Sequence, residues 1–287
     1  MTDRRIRIIE EGFARVLMFL STSTIVLVLL LIVISILVRG LPAISWEMLS
    51  QTPRGGFYFG KEGGILNAIV GSAYLAGGST LLALVVSLPV ALYMNVHLVK
   101  RVKLVNTIRF LLDLLWGIPS IVYGAFGFAV MVFLGLRTSL LAGIITVTFF
   151  IIPIMIRAMD ELFKTVPRGL LEASFSLGAT RSETAYRIFL RQGLSGVVTA
   201  ILLAFGRAIG DAASVLFTTG YTDHIPSSLG QPTATLPLAI FFQLSSPIQE
   251  VQQRAYASAF ILTCIILIIS VLARIFERRY HKNRIRF

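Results

Sequence analysis

Glu172-Ala-Ser-Phe-Ser-Leu-Gly178, followed after nine residues by Ile188-Phe-Leu190, lies between two long apolar runs of the chain. Pro167 upstream can occupy the first turn of a helix, where its missing N–H group is not needed. Gly178 suits the left-handed residue that ends a helix. The segment therefore predicts a short helix with one apolar side, formed by Leu170, Leu171, Phe175 and Leu177.

An apolar helix side at a membrane surface needs a cover. One candidate is a groove in another protein, and the other is the lipid surface, on which amphipathic helices lie with the apolar side down. The spacing of apolar residues alone is compatible with both. A docked protein would contact the whole segment, namely Leu170, Leu171, Glu172, Ala173, Phe175, Leu177 and Gly178.

The composition indicates that lipid is the main solvent of the chain. Apolar residues make up 56% of the 287 residues and charged residues only 14%, against roughly a quarter in soluble domains. The net charge of +12 would suit nucleic acid, but Lys and Arg lie in the segments between apolar runs, where membrane topology places them. We therefore expect an all-α integral membrane protein that binds no nucleic acid.

Six apolar runs are long enough to cross a bilayer, which takes about 20 helical residues. Helices are required because unpaired backbone groups are too costly in lipid. The third and fourth runs are separated only by Leu136–Thr138, which predicts a tight hairpin. The predicted spans are 16–38, 67–94, 108–135, 139–158, 193–219 and 257–276.

The basic residues predict the orientation of these spans. Twenty of the 26 Lys and Arg residues lie on the face that holds both termini, five lie on the opposite face, and Arg207 lies inside a span. Because cytoplasmic loops are enriched in Lys and Arg, we expect both termini inside. Residues 1–15 then form a cytoplasmic tail, 160–192 a long cytoplasmic loop, and 221–256 a long external loop. The apolar patch 236–242 within the external loop either re-enters the membrane edge or forms a short helix.

Two features inside the spans stand out. Gly117 and Pro119 interrupt the third span, as in the bent helices that surround transporter cavities, although ordinary bundle packing also tolerates such residues. The fifth span contains Arg207 and Asp211, and an ionisable group at mid-membrane costs roughly 2.5–3.5 kcal/mol on insertion scales. A continuous helix would place both on one face with Ser214 and Thr218. This polar stripe is either a substrate path, with Arg207 holding an anion, or a structural ion pair.

The sequence favours neither an enzyme nor a metal site. Cys264 lies alone in an apolar run, and the three histidines are far apart, so we expect no metal and no catalytic group. The acidic residues are scattered as well; Asp113, near the start of the third span, either takes part in transport or bonds to Trp116 or to a basic loop. No Gly-x-x-x-x-Gly-Lys-Ser/Thr loop is present, so we expect no cofactor in this chain and any ATP to be bound by a partner.

The quoted segment resembles the EAA loop of prokaryotic ABC-importer permeases, which reads Glu-Ala-Ala, three residues, Gly, nine residues and Ile-x-Leu-Pro. The spacing matches throughout, while Ser174 replaces the usual Ala and Arg191 the usual Pro. Asp211 is a shortened form of the Glu in the family pattern Arg-Ala-x-Gly-Glu, and Ala212-Ala213 replaces the usual Ala-Pro. The stretches that resemble phosphate-uptake (Pst) permeases of the PstA type are 63–72, 117–124, 207–211 and 231–237.

The resemblance implies a type I ABC-importer permease fold and a role in importing inorganic phosphate past Arg207. It implies that the 170–178 helix docks into an ATPase subunit. It further implies four partners, which are a PstC-like second permease, two PstB-like ATPases and a PstS-like phosphate-binding protein.

Three other functions remain open at this point. Sulfate or molybdate would suit the same Arg207, because both are tetrahedral oxyanions. A membrane-embedded phosphotransferase would need clustered nucleophile, base or metal groups. An ion channel would not need the long cytoplasmic loop.

Overall fold

The computed structural model describes residues 2–54 and 62–281, with side chains for 10–54 and 63–276. Two short strands, β1 (Pro53–Arg54) and β2 (Glu62–Gly63), pair antiparallel. The helices, in chain order, are α1 (Thr2–Gly40), α2 (Trp46–Ser50), α3 (Leu66–Leu92), α4 (Val102–Gly117), α5 (Ser120–Phe133), α6 (Leu140–Lys164), α7 (Arg168–Ser176), α8 (Arg181–Glu183), α9 (Leu190–Gly210), α10 (Leu236–Leu244) and α11 (Gln249–His281).

Long apolar segments fold as helices here because lipid offers no partners to backbone polar groups. Five helices are long and apolar enough to cross a membrane, and α4 with α5 makes a sixth when the two are counted as one span. The predicted all-helical fold with six spans is confirmed. The predicted tail 1–15 belongs to α1, which is helical from Thr2.

The third span is broken rather than continuous. Helices α4 and α5 meet at 90°, at the two residues predicted to interrupt the span. Proline disfavours helical backbone in the residue before it, and Ile118 accordingly has an extended ψ of 129° between Gly117 and Pro119. The third span is therefore built from two helices, with the break at Gly117 and Pro119.

The fifth span begins earlier and ends earlier than predicted. It runs from Arg181 to Gly210, with a π turn at Thr184–Phe189 between α8 and α9. Arg191 stands inside this continuous helix, because no proline interrupts it there. Residues 211–219, which were predicted to continue the span, form turns instead.

Helices α3, α6 and α9 form the centre of the bundle. The largest fully buried side chains of the described residues include Phe150 and Phe163 of α6 and Leu75 of α3. Helix α10 closes one end of this core, since Leu236 and Leu238 are fully buried and the Leu236 N–H donates to the Ser72 hydroxyl at 2.8 Å. The apolar patch 236–242 is thus a short packed helix.

Glycine allows the chain before α10 to approach α3 closely. A Cβ added at Gly71 would overlap the carbonyl oxygen of Ala234. We predict that Gly71→Ala lowers the free energy of unfolding by about 1–3 kcal/mol, the usual cost of overpacking. The thermal unfolding midpoint of the purified protein measures this.

Gly77 in the same helix is the matched control, because an added Cβ there meets nothing within 4 Å. Gly77→Ala should leave the midpoint unchanged or raise it slightly, since alanine has the higher helix propensity. Equal midpoints for the Gly71 and Gly77 variants would show that the 71–234 contact is not tight.

Candidate transport path and coupling surface

Arg207 lies in the last turn of α9 and is exposed on the surface of this single chain. Its guanidinium carbon is 5.1 Å from the centre of the Phe150 ring on α6, which is within cation–π range. An exposed guanidinium on an apolar bundle must face water or another protein, because lipid contact would be costly.

Asp211 does not pair with Arg207. Among the described residues no ion pair joins the two, and Asp211 already has extended backbone just beyond the end of α9. Its carboxylate instead accepts the Ser214 N–H at 2.8 Å. Aspartate stabilises turns in this way by bonding its own nearby backbone, so the expected Arg207–Asp211 helical face is wrong.

Ser214 and Thr218 are fully buried in the turns after α9 rather than displayed on a helical stripe. The Ser214 hydroxyl has no hydrogen-bond partner within the described part of the chain. Helix α5 packs directly on this point, since a Cβ added at Gly124 would lie 2.8 Å from the carbonyl oxygens of Ala213 and Ser214. The predicted polar stripe is thus divided into an exposed Arg207 on α9 and two buried hydroxyl residues, Ser214 and Thr218, in the turns that follow. We call these two residues the hydroxyl region.

The backbone of the 211–220 segment is held by its neighbours. Ser139, at the start of α6, donates its N–H to the Thr218 carbonyl at 3.0 Å, and Thr233 donates to Thr219 at 3.0 Å. Just beyond the segment, burial and the nearby Asp223 carboxylate raise the pKa of the Tyr221 phenol. The non-helical segment is therefore hydrogen-bonded to the start of α6 and to the chain before α10.

The loop 160–192 contains the predicted short helix, α7. Pro167 precedes it at the N-cap, and Gly178 follows with a left-handed φ of 80°. Leu170 and Leu171 are half-buried against the core of their own chain. The residues that face outward are Glu172, Ala173, Phe175, Ser176 and Leu177, which we call the α7 outer face.

Ser174, where the family usually has alanine, is buried and joins α7 to the next helix. Its hydroxyl lies 2.8 Å from that of Thr184. Thr180 and Glu183 form a capping box at the start of α8, a reciprocal arrangement that satisfies two backbone N–H groups. The α7 helix is thus attached to the base of the fifth span by side chains as well as by its connecting chain.

A buried charge cluster near the end of α6 was not predicted. Asp160 is fully buried and accepts two hydrogen bonds from Arg109, at 2.8 and 3.0 Å, and one from Asn95 at 2.9 Å. Arg157 and Lys164 approach the same carboxylate at 3.1 and 3.3 Å. We call these five residues the Asp160 cluster.

The cluster joins three helices, because Asn95 lies in the π turn Tyr93–His97 that extends α3, Arg109 on α4 and the remaining members on α6. Asp113 pairs with Arg157 at 2.6 Å, so its partner is neither Trp116 nor a basic loop. The spacing 157, 160, 161 and 164 puts four charges on neighbouring helical positions, a signal that the sequence carried but that was assigned to loop charge.

Among the described residues no group of histidine, cysteine and carboxylate side chains could hold a metal ion. The structure therefore offers two functional regions in the described residues. One is Arg207 with the hydroxyl region behind it, and the other is the α7 outer face.

Comparison with proteins of similar sequence shows to which family the chain belongs. A family model described as "Binding-protein-dependent transport system inner membrane component" matches residues 87–282. The phosphate transport system permease protein PstA of Pasteurella multocida is 32% identical over 246 residues, which cover 85% of this chain and 86% of that protein. The protein of the same name from Yersinia pestis is 34% identical over 223 residues, covering 76% and 74%. The chain belongs to the PstA permease family.

A solved structure supports the fold of this PstA-family chain. An inward-facing MetNI methionine ABC transporter chain matches with a TM-score of 0.60 at 19% identity, covering 75% of this chain and 95% of that chain. The expected importer-permease fold is confirmed. The family consists of permease subunits rather than enzymes, which agrees with the expectation from sequence.

The Asp160 cluster generates a stability prediction. Asp160→Asn removes the charge that neutralises Arg109, and breaking a buried pair costs about 3–5 kcal/mol. The thermal unfolding midpoint should fall steeply. Glu161→Gln is the control, because that carboxylate is 56% exposed and exposed ion pairs contribute about 1 kcal/mol or less. Similar midpoints for the two variants would contradict the assignment of Asp160 as the centre of the cluster.

Proposed function

We propose that this chain is a membrane-spanning subunit of an ATP-driven importer that moves inorganic phosphate into the cell. The observation that carries this proposal is the match to PstA permeases at 30–34% identity in the relatives compared, over most of the chain. Arg207 supports it from the structure, since a guanidinium without a carboxylate partner retains its full capacity to bind an oxyanion.

The substrate path in this proposal is shorter than a continuous polar stripe. Arg207 binds phosphate transiently at the inner surface of the bundle. Ser214, whose buried hydroxyl is unpaired within the described residues, supplies a second donor if the 211–220 segment shifts. Asp211 and Thr218 act through the backbone of that segment, because their side chains bond to or beside Ser214.

Energy enters through partner subunits. Two PstB-like ATPases bind ATP and press on the α7 outer face, whose Leu177 is 88% exposed. A PstC-like permease completes the path, and a PstS-like protein delivers phosphate from outside. Exposed phenylalanines on α5, such as Phe126 and Phe133, offer an apolar surface to a second membrane subunit or to lipid.

Both termini lie in the cytoplasm in this proposal. The distribution of Lys and Arg supports that orientation, and it sets α7 on the side where ATP is available. Residues 160–192 then form the coupling loop, and residues 221–256, with α10, face outward.

Arg207→Ala should reduce phosphate uptake at least about tenfold, which corresponds to about 1.4 kcal/mol of lost interaction. Radiolabelled phosphate uptake into proteoliposomes that contain the whole complex measures this. Leu203→Ala, one turn earlier on the same exposed face, is the control and should transport normally. Near-normal uptake by Arg207→Ala would refute the anion contact, and equal competition by sulfate or molybdate would refute the choice of phosphate.

Changes to the α7 outer face should weaken both the binding of the ATPase subunits and phosphate uptake. Leu177→Asp places a charge where an apolar contact is expected, so phosphate uptake should fall several-fold, in line with a loss of about 1–3 kcal/mol for a buried apolar contact. Co-purification of the ATPase subunits and uptake measure the effect together. Lys103→Gln, an exposed change on α4, is the control. Unchanged ATPase binding and uptake in Leu177→Asp would remove the docking assignment.

A further inference from the structure

Two ion pairs of opposite polarity join α4 to α6. Arg109 of α4 binds Asp160 of α6, with the Nε to Oδ2 distance at 2.8 Å. Four residues further along α4 the signs are exchanged, because Asp113 binds Arg157 through an Oδ1 to Nε contact of 2.6 Å. The two pairs are linked within α6 by the 3.1 Å contact between Arg157 and Asp160.

The order of the pairs shows that the two helices run antiparallel, since the later residue of α4 meets the earlier residue of α6. One helical turn is 3.6 residues. The two charges on α4 are four positions apart and the two on α6 are three apart, so each set spans about one turn. A slip of α4 by one turn in one direction would set Arg109 against Arg157. A slip in the other direction would set Asp113 against Asp160. In either shifted register, two like charges would face each other, so their repulsion disfavours the slip.

The same residues lie next to the coupling helix. Asp160 is one turn before the end of α6 at Lys164, and α7 begins only four residues later. The connection is anchored, because Phe163 and Val166 are buried in the core. A displacement of α7 therefore reaches the end of α6 with little slack.

The π turn of α3 contacts the coupling loop on both sides of α7. Asn95 donates to Asp160 at 2.9 Å, and the His97 carbonyl accepts from Arg181 at 3.1 Å. At the far end, α4 continues through the 90° bend into α5, and Gly124 of α5 rests on the Ser214 carbonyl. A continuous set of contacts thus leads from α7 through α6, α4 and α5 to Ser214.

We propose that the two reversed ion pairs fix the register of α4 on α6, so that a displacement of α7 moves both helices as one unit and reaches α5 and the 211–220 segment. Arg109, Asp113, Arg157 and Asp160 are positioning residues for transport in this role. The inference rests on the proposed function, since it assumes that α7 receives the ATP-driven displacement.

Two variants of the outer, more exposed pair test it. The exchange variant Asp113→Arg/Arg157→Asp keeps an ion pair in place but makes positions 109 and 113 both basic and positions 157 and 160 both acidic, so that a one-turn slip becomes attractive. The neutral variant Asp113→Asn/Arg157→Gln removes the ion pair and its preference for the native register, but it does not make a slipped register attractive. Lys103→Glu, an exposed charge change elsewhere on α4, is the control.

The readout is phosphate transported per ATP hydrolysed by the assembled complex in proteoliposomes supplied with the binding protein. We expect the ratio to fall by about five-fold or more in the exchange variant, the lower end of typical coupling effects, and to fall less in the neutral variant. A pair that only stabilises the fold predicts the reverse order, because exchange restores the pair. Like charges at 157 and 160 would lower stability, which the unfolding midpoint reports separately from the ratio.

The outcomes are distinct. A wild-type ratio in the exchange variant, or a lower ratio in the neutral variant than in the exchange variant, overturns the register inference. If the exchange variant does not assemble, the neutral variant decides: a reduced ratio with normal ATP hydrolysis supports the inference, and a wild-type ratio overturns it. A wild-type complex that shows no ATP-dependent phosphate uptake would instead overturn the proposed function.

Discussion

The end of the bundle beside α7 depends on one fully buried carboxylate, that of Asp160. A buried charge is tolerated only when it is paired and hydrogen-bonded, and Asp160 meets this condition by drawing donors from three helices. The broken third span, the extended end of α3 and the terminal turn of α6 are therefore held at one point. That point lies beside α7, so the helix proposed to receive the ATPase lies next to the buried cluster.

Two interruptions of the helices, between α4 and α5 and at the end of α9, lie where we expect the phosphate path. A proline forces the bend between α4 and α5, and an aspartate side chain bonds its own backbone to end α9. The Thr218 and Thr219 carbonyls are paired with neighbouring segments, and such pairing is the condition for irregular structure at membrane depth. Within the described part of the chain Arg207 has no carboxylate partner, so an anion that reaches it does not have to displace an aspartate.

The apolar spans and the α7 helix were predictable from the sequence because each depends on local patterns: long apolar runs, an N-terminal proline and a glycine stop. The end of α9 was not, since a helix and an aspartate-stabilised turn compete at Asp211 and tertiary contacts of the 211–220 segment decide between them. The Asp160 cluster was missed for a similar reason. Charges at 109, 113, 157 and 160 lie near the ends of predicted spans, and their pairing becomes visible only when the fold brings α4 against α6.

If the two ion pairs hold α4 and α6 in register, the two helices move together when ATP acts on the complex. Spin labels at Lys103→Cys on α4 and Phe149→Cys on α6, in a Cys264→Ala background, would report their separation by pulsed electron paramagnetic resonance. We expect the same distance distribution in the resting complex and with a bound, non-hydrolysed ATP analogue, while labels on the two permease subunits change their separation. A shift of about 5 Å between α4 and α6, the rise of one helical turn, would contradict it.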